Sequence, residues 1–284
     1  MIIVRLMGGL GNQMFQFALG RRLAVLNDLP LMLDLSFFDA VGTHTPRQFE
    51  LDVFNLEYGI ATDQEIDQFT SPGFFAKILG ASKEVITEKG HSYDPTIVRQ
   101  RREAMFVGYW QSEKYFRDIR NLLLLDFKLK APLSGLNKEL AEKITNSEAI
   151  SLHVRRGDYV TNAAAGSFHG LRDVGYYQKA VELISANGTQ QELFIFSDDI
   201  QWCRANFSFD CPVTYIDHNH GRAACEDLRL MSMCRHNIVA NSSFSWWGAW
   251  LNDHEDKVVV APRQWFVDPS IDTKDVVPAS WIRI

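Results

Sequence analysis

No run of about 18 apolar residues, the length a membrane-crossing helix needs, occurs anywhere in the chain. Met1 leads straight into Ile2-Ile3-Val4, with neither a basic leader nor a small-residue cleavage site. The expectation is a cytoplasmic chain, at most peripheral to the inner membrane face. Its four cysteines, Cys203, Cys211, Cys225 and Cys234, include no Cys-x-x-Cys pair, so they read as reduced core residues. His218-Asn219-His220 with Cys225 nearby lacks the usual zinc spacings and reads as a loop. Asp-x-Asp is missing as well, a motif expected of enzymes that hold a sugar nucleotide's diphosphate on Mg2+ or Mn2+. The expected metal set is therefore none. A net charge of −6 argues against a general nucleic-acid binder, which would be basic. Internal repeats and low-complexity tracts are absent too.

What is present is a soluble α/β pattern. A length of 284 residues exceeds what one hydrophobic core usually holds, so two domains are expected. Pro132, Ser134 and Gly135 interrupt the pattern and place the boundary between residues 1–135 and 136–284. In the first half, Met1–Leu6 reads as a strand and Gly8-Gly9-Leu10-Gly11 as the following loop. Asn12–Asn27 then reads as a helix and Pro30–Leu35 as a second strand. Gly9-x-Gly11-x-x-Met14 with Asp34 beyond it nearly matches the dinucleotide-binding fingerprint. Met14 is large where that fingerprint needs a small residue. The loop still places backbone N–H groups at a helix N-terminus, where an anionic or polar ligand can be held, with the amides of Asn12 and Gln13 at the same place as ligand contacts or mere caps. Further on, Gln64–Gln68 reads as helix, and Phe74, Phe75, Ile78 and Leu79 as a core-facing one. Met105–Trp110 reads as a strand, with Gln111 opening the loop into the next helix.

The second half alternates clearly. Strands are expected at Ala149–Val154, Leu193–Phe196, Val213–Ile216, Ile238–Ala240 and Val258–Val260. Helices are expected at Asn137–Ile144, Tyr176–Asn187, Cys225–His236 and Phe244–Leu251, and a Gly/Ala-rich loop at Asn162–Gly170. Such a run of βα units makes a parallel sheet flanked by helices. Its polar clusters all fall at carboxyl ends of strands, where open α/β sheets bind ligands.

The most telling of these is Arg155-Arg156-Gly157-Asp158, directly after an apolar strand. An arginine fork meets phosphate oxygens two at a time and keeps its proton, and the glycine permits a sharp turn. The plainer reading is a solvated loop in which the arginines pair with nearby acids. Ser242 and Ser243 open a helix and offer hydroxyls and N–H groups to phosphate, or simply cap it. Glu226 and Asp227 complement their helix dipole. A carboxylate facing a ligand could also take guanine's N1–H and 2-amino group together. Trp246 and Trp247 sit at consecutive helix positions, so one is expected in the core and the other at a ligand or interface.

Taken together, four stretches resemble the α-1,2-fucosyltransferase family: Gly8-Gly9-Leu10-Gly11-Asn12-Gln13-Met14-Phe15-Gln16, His153-Val154-Arg155-Arg156-Gly157-Asp158-Tyr159, Phe196-Ser197-Asp198-Asp199 and Asn241-Ser242-Ser243-Phe244-Ser245-Trp246-Trp247-Gly248-Ala249-Trp250-Leu251, and Gly108-Tyr109-Trp110-Gln111-Ser112-Glu113-Lys114-Tyr115-Phe116 looks similar. Glu226-Asp227-Leu228 looks similar too, and the chain resembles the compact bacterial type. The resemblance implies a GT-B fold, two Rossmann-like α/β domains facing across a cleft. It implies transfer of L-fucose from GDP-β-L-fucose to the 2-hydroxyl of a terminal β-galactoside such as lactose, with inversion and no cofactor. Arg155 would stabilise the leaving phosphate and Asp158 would take the acceptor's proton. His153, Arg156, Asp198, Asp199, Asp227, Asn241, Ser242, Ser243, Phe244, Gly11 and Asn12 would surround GDP-fucose. Gln13, Trp110 and Gln111 would lie on the acceptor side. Two rivals remain: an NAD-dependent oxidoreductase built on Gly9, Gly11 and Asp34, and a sugar- or nucleotide-binding protein without catalysis.

Overall fold

Ile2, Ile3 and Val4 are wholly buried, as expected of a parallel strand covered on both faces. That strand, β1 (Ile2–Arg5), is followed by α1 (Leu10–Asn27), β2 (Leu31–Asp34), α2 (Ser36–Asp39), β3 (Gly59–Ile60), α3 (Asp63–Thr70), β4 (Glu84–Thr87), β5 (Ala104–Val107) and α4 (Arg120–Asp126). The computed structural model describes residues 1–39, 47–71, 83–100, 102–185 and 191–284. The helix expected around Phe74 and Leu79, and Asn187 at the end of another, lie outside them. The described strands of this half form one parallel sheet in the order β3-β2-β1-β5-β4. From β1 the chain runs outward to β2 and β3, then to the other side of β1 for β5, so the order reverses between β1 and β5.

Gly20 shows how α1 sits on this sheet. A Cβ there would lie 2.5 Å from Val4 Cγ2 and 2.7 Å from Leu31 Cδ1. The close helix–strand contact that the dinucleotide fingerprint makes at its third glycine is made here six residues later. Asp34 is fully buried and takes an N–H from Arg5 Nε at 2.6 Å. It is held inside the unit, which removes the acidic ribose contact that the oxidoreductase reading requires.

Residues Met1–Lys130 and Lys274–Val276 make the first compact unit, and Ala131–Thr273 with Val277–Ile284 the second. The limit at 135/136 therefore shifts. Ala131 O accepts from Arg229 Nη2 at 2.9 Å, which ties residues 131–135 to the second unit. Asp275 returns to the first unit, where it accepts the Tyr93 N–H at 2.9 Å and pairs with Lys114.

The second unit continues with α5 (Gly135–Thr145), β6 (Glu148–Val154), α6 (Gly157–Thr161), α7 (Ala163–His169), α8 (Val174–Ser185), β7 (Gln191–Ser197), α9 (Ile200–Asn206), β8 (Val213–Ile216), α10 (Ala224–Met233), β9 (His236–Ile238), α11 (Ser243–Leu251), β10 (Val259–Ala261) and β11 (Ile282–Arg283). Its parallel sheet has the order β11-β10-β9-β6-β7-β8, reversing between β6 and β9.

Three expectations are corrected here. The loop at 162–170 is mostly helix α7, because Asn162 Oδ1 caps the amides of Ala164 and Ala165 at 3.0 and 3.2 Å and alanine favours helix. The helix expected to reach His236 stops at Met233, because His236 already pairs with Ile150 in β9. Trp246 and Trp247 are both fully buried: α11 is enclosed on every side, so consecutive positions both find core. No helix among the described residues is long and apolar enough to cross a membrane.

Candidate active site

The reversal between β6 and β9 is where a doubly wound sheet opens a crevice beyond its strand ends. Buried β6 delivers Arg155 and Arg156 to this point, and β9 leads through Asn241 to the start of α11. Arg155 Nη2 donates to Asp158 Oδ1 at 2.7 Å, and Nη1 lies 2.8 Å from Asp198 Oδ2. Burial works against the guanidinium's charge, but Asp198 and Asp158 outweigh it and raise its pKa further. Two of five guanidinium N–H groups face carboxylates, and the side chain keeps a quarter of its surface exposed. Arg156 is braced instead: its backbone N–H donates to Asp198 Oδ1 at 2.8 Å, its Nε to Asp199 Oδ2 at 3.0 Å, and its guanidinium lies 4.0 Å from the Trp202 ring centre. Asp199 also caps α9 through the Trp202 N–H at 3.1 Å. Asp198 and Asp199 thus hold the arginine loop in shape.

Gly157 makes that shape possible. A Cβ on it would lie 2.5 Å from Asp198 Oδ2, so any side chain pushes away the carboxylate that holds both arginines. Gly157→Ala is expected to lower catalytic activity about tenfold or more, equivalent to ~1.4 kcal/mol or more of lost positioning. Its melting temperature should fall by only a few degrees; steady-state kinetics beside a thermal melt test this, and unchanged activity would contradict it.

His153, near the end of β6, is 5% exposed and its Nδ1 has no hydrogen-bond partner among the described residues. Burial pushes its pKa down to about 4, against the pull of Asp198. The ring is neutral and packs 5.8 Å from that of Phe244. Across the reversal, Ser242 is the N-cap residue of α11 but makes no side-chain cap bond. Ser243 and Phe244 occupy the first turn. Asn241 ties the loops around the site together. Its Nδ2 donates to the carbonyls of His169, Trp265 and Gly170 at 2.7, 3.1 and 3.2 Å, and its own carbonyl accepts from Tyr159 Oη at 3.1 Å.

Asp227, in the first turn of α10, accepts from Asn219 Nδ2 at 2.7 Å. Asn219 and Asn137 exchange two further bonds of 2.9 Å, and His218 Nε2 lies 2.8 Å from Asn137 Oδ1. Burial pushes the Asp227 carboxyl up to about 7 although Asn219 opposes it. Neighbouring Glu226 is occupied by Arg229 Nη2 at 2.8 Å. No cluster of three or more His, Cys, Asp or Glu side chains that could hold a metal occurs among the described residues.

The first unit gathers its own polar groups at its sheet reversal. Gln13 is fully buried and committed to backbone: Nε2 donates to Gly8 O and Gln48 O at 2.9 and 2.8 Å, and Oε1 accepts the Glu50 N–H at 2.9 Å. Gln111 Nε2 donates to Asn12 Oδ1 at 2.8 Å. Gly11 is buried within α1. Trp110 has φ +56, in the left-handed region that costs a non-glycine residue about 1–3 kcal/mol, and its Nε1 is buried without a partner among the described residues. Sequence reasoning passed over Glu88, whose carboxylate accepts the N–H groups of Tyr109 and Trp110 at 2.6 and 3.0 Å. It directly follows β4, a short strand whose mostly exposed residues carry little hydrophobic signal.

Comparison with known proteins agrees with this architecture. Residues 81–284 match the model of Glycosyl transferase family 11. The chain is 33% identical to an alpha-1,2-colitosyltransferase of Escherichia coli, across 100% of this chain and 98% of the relative. It is 36% identical to the O-antigen biosynthesis glycosyltransferase WbnK of Escherichia coli, across 98% and 99%. A galactoside 2-alpha-L-fucosyltransferase, Sec1 of Mus musculus, is 27% identical over 51% of this chain and 41% of the relative. Among solved structures, fucosyltransferase NodZ from Bradyrhizobium aligns with a TM-score of 0.50 and 15% identity over 87% of this chain and 91% of that one, a likeness of fold. With two Rossmann-like α/β units, the chain belongs to glycosyl transferase family 11 and is a glycosyltransferase.

Proposed function

We propose that the chain transfers L-fucose from GDP-β-L-fucose to the 2-hydroxyl of a terminal β-galactoside, with inversion and without a metal. The observation that carries this reading is Arg155, held by two carboxylates at the sheet reversal with further N–H groups to offer. Relatives named for α-1,2 transfer of fucose or colitose support the linkage. The acceptor oxygen attacks the anomeric carbon as the bond to the β-phosphate oxygen breaks, and the electron pair leaves with GDP. Arg155 meets the charge that grows on that phosphate. N–H groups and hydroxyls of Ser242, Ser243 and Phe244 at the start of α11 add donors. Asp158 holds Arg155 and accepts the acceptor's proton, while neutral His153 packs beneath the nucleotide. Asp198 and Asp199 act through the arginines.

Incubating the protein with GDP-fucose and lactose or a panel of β-galactosides, followed by linkage analysis of the product, tests the reading. GDP release that a galactoside accelerates well above the slow acceptor-free hydrolysis, and that survives EDTA, is expected. A side-by-side trial with a colitosyl donor decides the sugar. Should NADH rather than GDP raise the melting temperature, the oxidoreductase reading would return, since a ligand at 100 times its Kd adds about 2.7 kcal/mol. Binding without turnover on any galactoside would favour a non-catalytic protein.

In this reading Asp227 accepts guanine's N1–H and 2-amino group, which requires the carboxylate form. Its pKa of about 7 in the free protein gives a signed expectation. GDP affinity rises with pH between roughly 6 and 8 and then levels off. Asp227→Asn flattens that rise and weakens binding by about 1–3 kcal/mol. For stability the sign is opposite. A carboxyl raised from 3.8 to about 7 favours the fold fully below pH 3.8, and that contribution is lost as pH climbs through 7. Calorimetric titration across pH checks the affinity; a flat wild-type profile would remove Asp227 from the base site.

A further inference from the structure

Two unfavourable features meet at Trp110: a left-handed backbone and a buried indole N–H without a partner among the described residues. A half-buried carboxylate keeps them in place. Glu88 reaches the turn from the end of β4, taking Tyr109 N–H on Oε2 and Trp110 N–H on Oε1. Gly108 admits this approach, since a Cβ there would stand 2.4 Å from Glu88 Cβ. Burial raises the pKa of Glu88 although both amides oppose it. Gln16 Nε2 fixes the other side of the turn by donating to Gly108 O at 3.0 Å.

The consequence appears one residue later. Gln111 Nε2 donates to Asn12 Oδ1, a bond that uses one end of each amide and leaves Gln111 Oε1 as an acceptor and Asn12 Nδ2 as a donor. Sugar hydroxyls both donate and accept, and a paired acceptor and donor is the arrangement that reads them. A strained turn persists only where the surroundings over-determine it, and such turns concentrate at ligand sites.

We propose that Glu88 is a positioning residue for the acceptor. Its carboxylate holds the Tyr109–Trp110 turn so that the Gln111–Asn12 amide pair is presented to hydroxyls of the acceptor sugar. This deepens the reading of Trp110 and Gln111 as acceptor-side residues, moves Asn12 from the donor to the acceptor through its bond to Gln111, and rests on the proposed transfer.

Glu88→Gln keeps the size of the side chain but leaves one oxygen for two N–H groups. It is expected to raise the acceptor KM by about ten- to hundredfold, the size of losing a hydrogen bond to a charged group. GDP affinity, and the slow hydrolysis of GDP-fucose without acceptor, should stay at wild-type values. Gln111→Ala leaves the clamp intact and should raise the acceptor KM similarly, with the double variant little worse than either single one. Amide exchange at Tyr109 and Trp110 should speed up in Glu88→Gln and not in Gln111→Ala. An unchanged acceptor KM in Gln111→Ala, a parallel loss of GDP affinity in Glu88→Gln, or unaltered amide exchange there would each overturn the proposal. Absence of GDP binding and of donor hydrolysis in the wild-type protein would instead sink the GDP-fucose reading, while amide exchange still judges the clamp.

Discussion

Arg155→Ala should lower kcat by about 10²–10³-fold, or roughly 2.7–4 kcal/mol of barrier, the loss typical of one preorganised donor aimed at developing charge. Donor binding should weaken less, because most of what Arg155 supplies is called on only as the bond to phosphate breaks. The two acids that face it do not contradict this. Asp158 and Asp198 take one N–H each from Nη2 and Nη1, and a guanidinium carries five. They fix the fork in place before the phosphate arrives, so no reorganisation is required at the moment of reaction. Arg155→Lys should recover only part of the loss, since an ammonium supplies charge without the planar fork. In contrast, Arg156 is expected to act through the loop it braces, with its Nε on Asp199 and its face on Trp202. Single-turnover kinetics with GDP-fucose check the prediction. Turnover within twofold of wild type in Arg155→Ala would remove Arg155 from the leaving-group role.

The strand-end rule reads much of this region from sequence, because β6 and β7 are buried apolar runs that stop at charged residues. Ile150, Leu152 and Val154 are at most 1% exposed, and their side chains announce a strand whose end must be Arg155. Roles within the cluster were less legible. Whether Asp198 meets a ligand or a backbone N–H depends on how closely Gly157 lets it approach, a distance no pattern encodes. Asn241 looks the same in sequence whether its amide faces a nucleotide or three carbonyls. The same holds for Gln13, whose partners Gln48 and Glu50 lie 35 and 37 residues away. Helix α7 was hidden because an Ala/Gly-rich segment carries no apolar periodicity; its cap at Asn162 was the available signal. Glu88 was missed for the complementary reason: its strand is exposed, and its two amide partners lie 21 and 22 residues further on.

Trp246→Ala should destabilise the second unit by about 3–5 kcal/mol, the usual loss when a large buried aromatic is truncated. The ring is wholly inaccessible and is surrounded by aromatics: Trp250 nearly parallel at 6.1 Å, Trp247 edge-on at 5.1 Å and Trp281 at 5.5 Å. Trp247 and Trp250 are held from swinging into the gap because they also pack on each other at 5.1 Å. Nor can α11 slide, because a Cβ on Gly248 would already stand 2.9 Å from Met231 Cβ on α10. A cavity that cannot collapse carries its full cost. The packing is also what aims the start of α11, with Ser242, Ser243 and Phe244, at the end of β6. Urea unfolding followed by circular dichroism measures the loss, provided the slope matches wild type. A change below about 1 kcal/mol, as for a surface position, would refute the packing account. Below its lowered melting range the variant should retain far more activity than Arg155→Ala, because its first turn keeps its backbone donors whenever the helix is formed. That contrast separates the residues that build the site from the one that meets the phosphate.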